Sequence, residues 1–343
     1  MSLRRIGIVG LGMAVAPHAR SLLDLKDRVQ VARAFSPSAE RRRAFADRFG
    51  FPLADSLEAV LSDSGVDAVL ILTPPNTHLE LVRRAAEAGK HILLEKPLEI
   101  STERALEVVR VCRTCGVTLG VVLQHRFRPV AQKMAGLLKA GELGQILGAS
   151  ASIRLWRPQS YYDEPGRGTK ARDGGGVLLT QGIHTLDLLV SLVGQAADVM
   201  SYVTTTPIHR METEDLVAAA VRYRNGALGT IEATTAAFPG YPERIDIMGE
   251  LGHAAISGTS LHVAFIDGRK VEVASDSMAG GTGADPMAFP HDYHRALITD
   301  FLDALDGGTA PTVTGEEALK VHMLINAIVE SGQSGMPVSV PSA

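Results

Sequence analysis

The first third of the chain alternates short apolar segments with longer amphipathic ones. Apolar segments bounded by glycine or proline are typical of strands buried in a parallel sheet. Segments of about 10–15 residues with helical spacing of polar positions predict helices between them. The predicted strands are Arg5–Val9, Val29–Phe35, Val66–Leu72, Lys90–Leu94 and Val117–Leu123, and the predicted helices are Ala14–Leu25, Ala39–Phe49, His78–Ala88 and Thr102–Cys115. This alternation predicts an α/β fold, a doubly wound parallel sheet of the Rossmann type.

After residue 123 the pattern changes to strands joined by short turns. Turns such as Arg224-Asn225-Gly226 are typical of hairpins. The predicted strands are Gly148–Trp156, Val199–Thr206, Leu216–Tyr223, Leu228–Ala236, Glu243–Gly249, Ala254–Ser257, Ser260–Ile266 and Lys270–Ala274, and the predicted helices are Gly182–Leu192, His294–Leu305 and Glu316–Ser331. We therefore expect a nucleotide-binding domain at 1–123 and an α+β domain at 124–343. The second domain should contain a large, mostly antiparallel or mixed open sheet and supply substrate binding and oligomerisation.

Composition narrows the classes of protein. The chain has 343 residues, of which 45% are hydrophobic and 21% are charged, and its net charge is −4. The slightly acidic balance, without runs of like charge, argues against nucleic acid or an anionic membrane as partner. No apolar run reaches the ~18 residues of a membrane span. Two cysteines are too few for a disulfide framework, so we expect a cytoplasmic protein.

The first predicted strand leads into a glycine turn that suits a dinucleotide. Gly10 permits a tight turn, and Gly12 lets the backbone approach a pyrophosphate. The phosphate charge would then lie on the N–H groups at the helix start, around Met13 and Ala14. The third glycine of the usual fingerprint is replaced by Val15, so an ordinary glycine turn is the alternative. The position between a strand and a helix favours nucleotide binding.

The end of the second strand discriminates between the two nicotinamide cofactors. An acidic residue there would hold the ribose 2′-hydroxyl of NAD. This chain has Ser36 and Ser38 instead, followed by Arg41 and two further arginines. Serines and arginines suit a 2′-phosphate, so the sequence favours NADP over NAD. The alternative for the arginines is a solvated helix face.

Further segments carry a family resemblance. They are Thr73-Pro74-Pro75-Asn76-Thr77-His78, Glu95-Lys96-Pro97, Gln124-His125-Arg126-Phe127, the turn Gly174-Gly175-Gly176 and Gly182-Ile183-His184-Thr185-Leu186-Asp187. With the glycine turn, they resemble the Gfo/Idh/MocA oxidoreductases over nearly the whole chain. The resemblance implies enzymes that act mostly on sugars, inositols and sugar nucleotides. The expected cofactor contacts, at the carboxyl ends of strands where open α/β sheets bind ligands, are Thr73, Pro74, Asn76, His78, Glu95, Lys96 and Gln124.

Lys96 and His184 are the candidate catalytic residues. A lysine that is partly desolvated near other cations loses its proton more easily, which suits acid–base work on a hydroxyl or carbonyl group. A surface lysine paired with Glu95 is the alternative. Asp187 lies three residues after His184, so a helix would place both on one face and let the carboxylate orient the imidazole. A histidine beside an apolar face is more often a core residue, and the resemblance implies the catalytic role.

One position departs from the family pattern. Many members carry Asp four residues before that histidine, where this chain has Thr180. Threonine cannot ionise near neutral pH, but it can hydrogen-bond a substrate hydroxyl. The sequence around Thr180 is similar to that of the sugar-nucleotide dehydrogenases of the family. The expected substrate-binding residues are Thr180, Arg157, Tyr161, Arg126 and Asp187, with Tyr162 and Arg167 nearby, and a basic surface loop at 157–169 is the alternative.

The expected activity is hydride transfer between the nicotinamide of NAD or NADP and a CH–OH or C=O group of a polyhydroxylated small molecule. His184 or Lys96 would take the hydroxyl proton while the other stabilises the developing charge. No metal is expected, since Cys112 and Cys115 lack a second ligand pair. The alternatives are a non-catalytic ligand sensor and a reductase of a non-sugar carbonyl or diol. An uncovered sheet face predicts a homodimer or homotetramer, and segment 279–289 is a candidate lid or a plain connector.

Overall fold

The computed structural model describes residues 3–274 and 290–342. The chain forms two compact units, one of Met1–Leu123 with Pro290–Leu319 and one of Gln124–Phe289 with Lys320–Ala343. The sequence assigns 290–319 to the second domain, but this segment belongs to the first unit, because its helix packs against the helix that follows the glycine turn. The candidate lid at 279–289 lies outside the described residues.

The first unit contains a five-stranded sheet in the order β2-β1-β3-β4-β5, with every pair of strands parallel. Its strands are β1 (Arg4–Val9), β2 (Val29–Phe35), β3 (Ala68–Ile71), β4 (His91–Glu95) and β5 (Leu119–Val122). Its helices are α1 (Val15–Asp24), α2 (Ala39–Phe49), α3 (Leu57–Leu61), α4 (His78–Glu87), α5 (Thr102–Cys115) and, near the C-terminus, α10 (Asp292–Gly307). The predicted Rossmann-type sheet is confirmed.

The three inner strands β1, β3 and β4 are largely buried on both faces, which explains their mostly apolar sequences, whereas the edge strand β2 exposes Gln30 and Arg33. Ile8 in β1, Leu70 in β3 and Ile92 in β4 are almost completely buried. Each such side chain contributes about 1.5–3 kcal/mol when it leaves water. The central strands therefore hold their carboxyl ends in fixed positions, and the candidate cofactor residues follow those ends.

Local capping signals set the ends of two helices. The side chains of Ser38 and Ser101 each accept a backbone N–H three residues ahead, which starts α2 and α5. Gly50 and Gly116 adopt the left-handed conformation that ends the same two helices. Both helices consequently have the bounds that the sequence predicts.

The second unit contains a nine-stranded sheet in the order β13-β12-β11-β10-β6-β9-β8-β7-β14. Its strands are β6 (Ile146–Arg154), β7 (Ala196–Thr204), β8 (Leu216–Tyr223), β9 (Leu228–Thr234), β10 (Arg244–Gly249), β11 (Gly252–Ser257), β12 (Ser260–Phe265), β13 (Lys270–Val273) and β14 (Val338–Ser339). Its helices are α6 (Pro129–Lys139), α7 (Gln159–Tyr162), α8 (Lys170–Asp173), α9 (Ile183–Val193) and α11 (Gly315–Ser334), of which the part up to Leu319 belongs to the first unit. Strands β6 and β9 pair in parallel and the other neighbours pair antiparallel, which confirms the predicted mixed sheet.

One face of this sheet is covered and the other is exposed. Helix α9 packs against β6 and β10 on the covered face. In β8, buried Val217 and Val221 alternate with exposed Ala218 and Ala220, as expected for a sheet with one wet face. The stretch Lys170–Val193 is long and apolar enough to cross a membrane by length and composition. However, 72% of its apolar window is buried inside the fold, as it would be in any core helix.

Candidate active site

The glycine turn between β1 and α1 leaves one side open. Gly10 has a φ of +99°, and a Cβ there would lie 2.7 Å from the carbonyl carbon of Leu72, so glycine is required. A Cβ on Gly12 would meet no described atom within 4 Å. Helix α1 begins after Ala14, which has no side chain that can cap it, and its first turn carries no acidic residue. The N–H groups beside the exposed Met13 can therefore donate hydrogen bonds to a diphosphate, which fits a dinucleotide.

The loop after β2 carries a guanidinium group that could bind an anion. Arg42 turns back over it, and its guanidinium donates to the backbone oxygens of Ser36 and Pro37 at 2.6 and 3.3 Å. Ser36 is buried, and the side chain of Ser38 is used as the helix cap, where it accepts the N–H of Arg41. The Arg41 side chain is exposed. The sequence singles out Arg41, but Arg42 is the arginine held over the loop.

His78 connects the ends of two strands. Its Nε2 lies 2.9 Å from the carbonyl oxygen of Thr73 after β3, and its Nδ1 lies 3.0 Å from that of Pro97 after β4. Complete burial lowers the pKa of His78, so the imidazole is neutral at pH 7. Pro74 and Asn76 lie exposed in the turn between Thr73 and His78. His78 thus supports the turn, while the exposed residues remain open to a ligand.

The Glu95-Lys96-Pro97 segment is shaped by a buried carboxylate and a cis peptide bond between Lys96 and Pro97. The Nε2 of His18, from α1, lies 2.9 Å from Oε1 of Glu95. Oε2 of the same carboxylate accepts the backbone N–H of Lys96 at 2.9 Å. Burial raises the pKa of Glu95, but the hydrogen bond from His18 and nearby positive charge outweigh that effect and hold the pKa below its ordinary value. With His294 of α10, this pair brings three potential metal-ligand atoms within 4.8 Å.

Gln124 lies two residues after Val122, the last residue of β5. Its side chain is buried, and its Oε1 has no hydrogen-bond partner among the described residues. Buried polar atoms are normally hydrogen-bonded, so this oxygen is suited to accept a donor from a bound ligand. This observation fits its predicted place in a cofactor site.

In the second unit, His184 lies where the helical geometry changes. A π-helical turn at Leu178–Gly182 runs directly into α9, and His184 is the second residue of α9. Such turns often mark functional sites. The ring of His125 lies 5.0 Å from that of His184, centroid to centroid, with 32° between the planes. His125 is not among the site residues that the sequence predicts, and its approach to His184 is visible only in the fold.

Asp187, on the same helix as His184, forms a double hydrogen bond with Arg126. Nε and Nη2 of the guanidinium donate to the two carboxylate oxygens at 2.8 and 2.7 Å. The Asp187 side chain is 1% exposed and that of Arg126 is 10% exposed. Two residues that the sequence assigns to substrate binding are thus bonded to each other inside the protein. This geometry ties α9 to the segment that carries His125.

Glu214 caps the start of the helical segment that carries Thr180 and His184. Its carboxylate accepts the N–H of Gly176 at 3.0 Å and that of Leu178 at 3.3 Å. Burial raises the pKa of Glu214. Thr180 lies one turn further on, where its hydroxyl donates to the carbonyl oxygen of Gly176 at 2.6 Å. Glu214 cannot be predicted from the sequence, because nothing in its local sequence connects it to residues 38 positions away.

Two arginines face one tyrosine upstream of this helix. The guanidinium carbon of Arg167 lies 4.0 Å from the ring centroid of Tyr161, and that of Arg157 lies 5.8 Å away. Arg167 also pairs with Glu164 at 2.6 Å. The Nε2 of Gln181 lies 3.4 Å from the Tyr161 hydroxyl, which connects this group to the turn before His184. Arg157 is buried, and burial lowers its pKa.

The backbone carbonyl group of Arg157 is held by a buried histidine–aspartate pair. Nδ1 of His209 lies 2.6 Å from Oδ2 of Asp215, and Nε2 of His209 donates to the carbonyl oxygen of Arg157 at 2.8 Å. Tyr162 lies beside this pair, and its hydroxyl donates to Thr235 at 2.9 Å. Tyr162 therefore packs in the interior, while Tyr161 is the tyrosine that the two arginines face.

Comparison with known proteins identifies the family. Residues 4–123 match the model of an oxidoreductase family with an NAD-binding Rossmann fold, and residues 131–255 match the model of the Gfo/Idh/MocA C-terminal domain. The chain belongs to the Gfo/Idh/MocA oxidoreductases. The resemblance seen in the sequence motifs is confirmed, and with it the class of enzyme.

Relatives of this Gfo/Idh/MocA protein align along almost its full length. A D-xylose 1-dehydrogenase (NADP(+)) of Haloferax volcanii is 27% identical over 98% of this chain and 98% of its own. A myo-inositol 2-dehydrogenase of Thermotoga maritima is 26% identical over 94% and 93%. Among solved structures, the WlbA dehydrogenase of Bordetella pertussis, in complex with NADH and UDP-GlcNAcA, has a TM-score of 0.86 and 28% identity and covers both chains fully (100%).

Proposed function

We propose that this protein is an NAD(P)-dependent dehydrogenase that transfers hydride between the nicotinamide and a CH–OH group of a sugar, cyclitol or sugar nucleotide. One observation carries the proposal: the chain keeps two groups for proton transfer, Lys96 at the carboxyl end of β4 and His184 at the start of α9. Relatives named as dehydrogenases of a sugar and of an inositol support the substrate class. A non-catalytic sensor would have no need of both groups.

In this mechanism, bound NAD(P) supplies the hydride acceptor. Lys96 and His184 share the proton chemistry: one removes the proton from the substrate hydroxyl, and the other stabilises the charge that develops on the oxygen. Thr180 binds a further substrate hydroxyl through its side-chain oxygen. Gly10, Gly12 and Gln124 hold the cofactor.

The substrate-binding residues in this proposal are Thr180, Arg157 and Tyr161. The ring of Tyr161 packs against the apolar face of a sugar, and the guanidinium beside it bonds hydroxyl or acidic groups. Arg126 and Asp187 bond each other, so we assign them a supporting role in which they hold α9. A substrate with a carboxylate or phosphate suits the two arginines that face Tyr161.

For the cofactor, we propose a preference for NADP over NAD. The loop after β2 carries Ser36 and Ser38 in place of an acidic residue, and Arg42 is held over that loop. Known relatives include an enzyme named for NADP and a structure with NADH, so family membership does not determine the cofactor. The proposed preference therefore rests on the residues of this loop. Titration of the purified protein with NADPH and NADH tests the proposal, and tighter binding of NADH would refute it.

We further propose a cytoplasmic homodimer or homotetramer that forms through the open face of the second unit's sheet. By strand register, exposed Tyr202, Leu228 and Met248 lie on that face. Apolar side chains at this density on an uncovered sheet favour a protein partner. Light scattering after size-exclusion chromatography tests the state, and a monomer at micromolar concentration would contradict it.

The decisive experiment is a dehydrogenase screen over pentoses, hexoses, inositols, uronates and nucleotide sugars, with both cofactors. We expect reduction of NAD(P) with at least one class, and loss of roughly 100-fold or more in kcat for Lys96→Met and for His184→Asn. Turnover that survives both substitutions undiminished would overturn the mechanism. Binding of cofactor and sugar with no turnover on any class would instead favour the sensor, to which Thr180 in place of an acid lends some weight.

A further inference from the structure

A buried polar group of three side chains lies directly behind Lys96. Glu95, at the end of β4, is bonded through Oε1 to His18 and through Oε2 to the backbone N–H of Lys96. The ring of His294 lies 4.8 Å from that of His18, edge to face. All three side chains are buried in the first unit. We name His18, Glu95 and His294 the carboxylate clamp.

We propose that the carboxylate clamp positions Lys96 for proton transfer, so that His18 and His294 are positioning residues of the reaction. The inference rests on the proposed function of Lys96. The clamp reaches Lys96 in two ways: one carboxylate oxygen holds its backbone N–H, and the charge of the same carboxylate acts on its ammonium group. None of the three side chains needs to touch the substrate.

Position in the fold explains how His294 reaches the group. Helix α10 is anchored on α1 by bonds that flank His294: His291 and Arg295 each donate to Asp24 at 2.8 Å. The hydroxyl of Ser21, also on α1, lies 3.2 Å from the carbonyl oxygen of His291. The same anchor that docks α10 therefore delivers His294 to the Glu95 carboxylate.

The free-energy cost of burying three polar side chains indicates that the clamp has a role beyond filling space in the core. A buried carboxylate and two buried imidazoles are expensive unless they satisfy one another, and apolar side chains of similar volume would fill the space at lower cost. Burial lowers the pKa of His294 to about 3, so its ring is neutral at pH 7. The groups that face it are His18, Glu95, His291 and Lys96. The clamp thus places the Glu95 carboxylate next to one lysine.

Distance favours hydrogen bonding over a metal in this clamp. Two ligands on a tetrahedral zinc ion, each at ~2.0–2.1 Å, lie roughly 3.3 Å apart. The atoms of His18 and Glu95 that face each other are 2.9 Å apart, which is an ordinary hydrogen-bond length. A metal would also compete with the backbone N–H of Lys96 for the carboxylate. We therefore commit to the clamp and treat the metal as an outcome of the test.

The test compares variants that change either the hydrogen bond to the Glu95 carboxylate or its charge. His18→Leu removes the donor to the carboxylate, His18→Gln restores one, and Glu95→Gln keeps the shape but removes the charge. Arg110→Gln is the matched control, because it breaks a surface ion pair between Arg110 and Glu107 within α5 and leaves the anchor of α10 intact. Thermal unfolding of each variant verifies that it folds.

Two readouts decide the outcome. The first is kcat. We expect losses of about 10- to 100-fold in His18→Leu and Glu95→Gln, with KM changed less than about threefold. We expect recovery in His18→Gln and wild-type values in Arg110→Gln. The second is NMR titration of lysine labelled with ¹³C at Cε, with the Lys96 signal assigned by Lys96→Arg. Loss of the carboxylate charge should move the Lys96 titration to lower pH in Glu95→Gln, since an opposite charge stabilises the ammonium form.

The readouts separate the clamp from the proposed function. If the wild type turns over no substrate, the proposed function fails and the Lys96 titration alone decides the clamp. An unmoved Lys96 titration in Glu95→Gln, or equal kcat values for His18→Leu and the wild type, would overturn the clamp. Elemental analysis of the purified wild type for zinc, manganese, iron and nickel completes the test. A stoichiometric metal that disappears in His18→Leu would also overturn it, in favour of a metal centre.

Discussion

Gly176 lies so close to Glu214 that a Cβ on Gly176 would be 1.8 Å from the Glu214 carbonyl oxygen. The Glu214 side chain meanwhile accepts the N–H of Gly176. A glycine is therefore required for backbone clearance, and a carboxylate for the cap, at the start of the segment that leads to His184. The glycine-rich motif of the sequence thus serves the placement of a helix.

Replacement of that glycine should damage the site and the fold together. We expect Gly176→Ala to lower the free energy of unfolding by about 1–3 kcal/mol or more, because the methyl group must displace backbone. Gly136→Ala in α6 is the control: its Cβ meets no described atom within 4 Å, so a gain of about 0.4–1 kcal/mol is expected. Urea unfolding measures both changes, and equal stability of the two variants would contradict the argument.

The Arg126–Asp187 pair should contribute far more than a surface pair of the same geometry. Removal of one partner from a buried ion pair costs about 3–5 kcal/mol, so Asp187→Asn should be strongly destabilising. The control is Glu232→Gln, which breaks the double contact of Arg154 with Glu232, side chains 53% and 41% exposed. That change should cost about 0–1 kcal/mol. Comparable losses in urea unfolding would show that the burial of Asp187 carries no energetic weight.

Much of the fold is predictable because its signals are local. The capping serines and terminal glycines of α2 and α5 lie within the segments they end, so both helices are predicted to the residue. Helices α3, α7 and α8, of four or five residues, are missed because they are too short to show helical periodicity. Helix α6 begins at Pro129 and is also missed, although proline at a first helical position is a usable signal.

The candidate site is predictable only where one segment carries the chemistry. Gly10, Lys96 and His184 stand out in their own motifs. The partners of these residues come from distant segments: His294 reaches Glu95 across most of the chain, and Glu214 reaches Gly176 from the loop before β8. Hydrophobic periodicity cannot predict such pairings, because it does not distinguish a buried polar residue from an exposed one. Which distant polar residues lie together depends on the topology. Asp187 is the opposite case: its spacing from His184 predicts a shared helix face, and in the structure its carboxylate forms a double hydrogen bond with Arg126.

Cofactor preference should respond to a charge at one helix cap. Asp caps a helix as well as Ser does, so Ser38→Asp keeps the start of α2 while it adds a carboxylate to the loop after β2. If that loop holds the 2′-phosphate of NADP, the Kd for NADPH should rise about tenfold or more and that for NADH should stay within about twofold. Ser101→Asp makes the same exchange at α5 and should change neither Kd. Fluorescence titration measures both, and an unchanged NADPH affinity would mean that the loop does not contact the phosphate.

Acid sensitivity should be traceable to one histidine. His294 has a pKa of about 3 in the folded protein, against about 6.5 when unfolded. Below pH 6.5 the unfolded chain therefore binds a proton that the folded chain does not, and stability falls by about 1.4 kcal/mol for each pH unit down to the folded pKa. His294→Gln removes this contribution. Urea titrations at pH 7.0, 6.0 and 5.0 measure the free energy of unfolding of the wild type and of His294→Gln. Below pH 6.5, the wild type should lose about 1.4 kcal/mol more stability per pH unit than the variant does. The control, Gln30→Ala at an exposed position of β2, exchanges no titratable group and should show a constant difference. A constant difference for His294→Gln as well would mean that the folded protein protonates this ring as readily as the unfolded chain does.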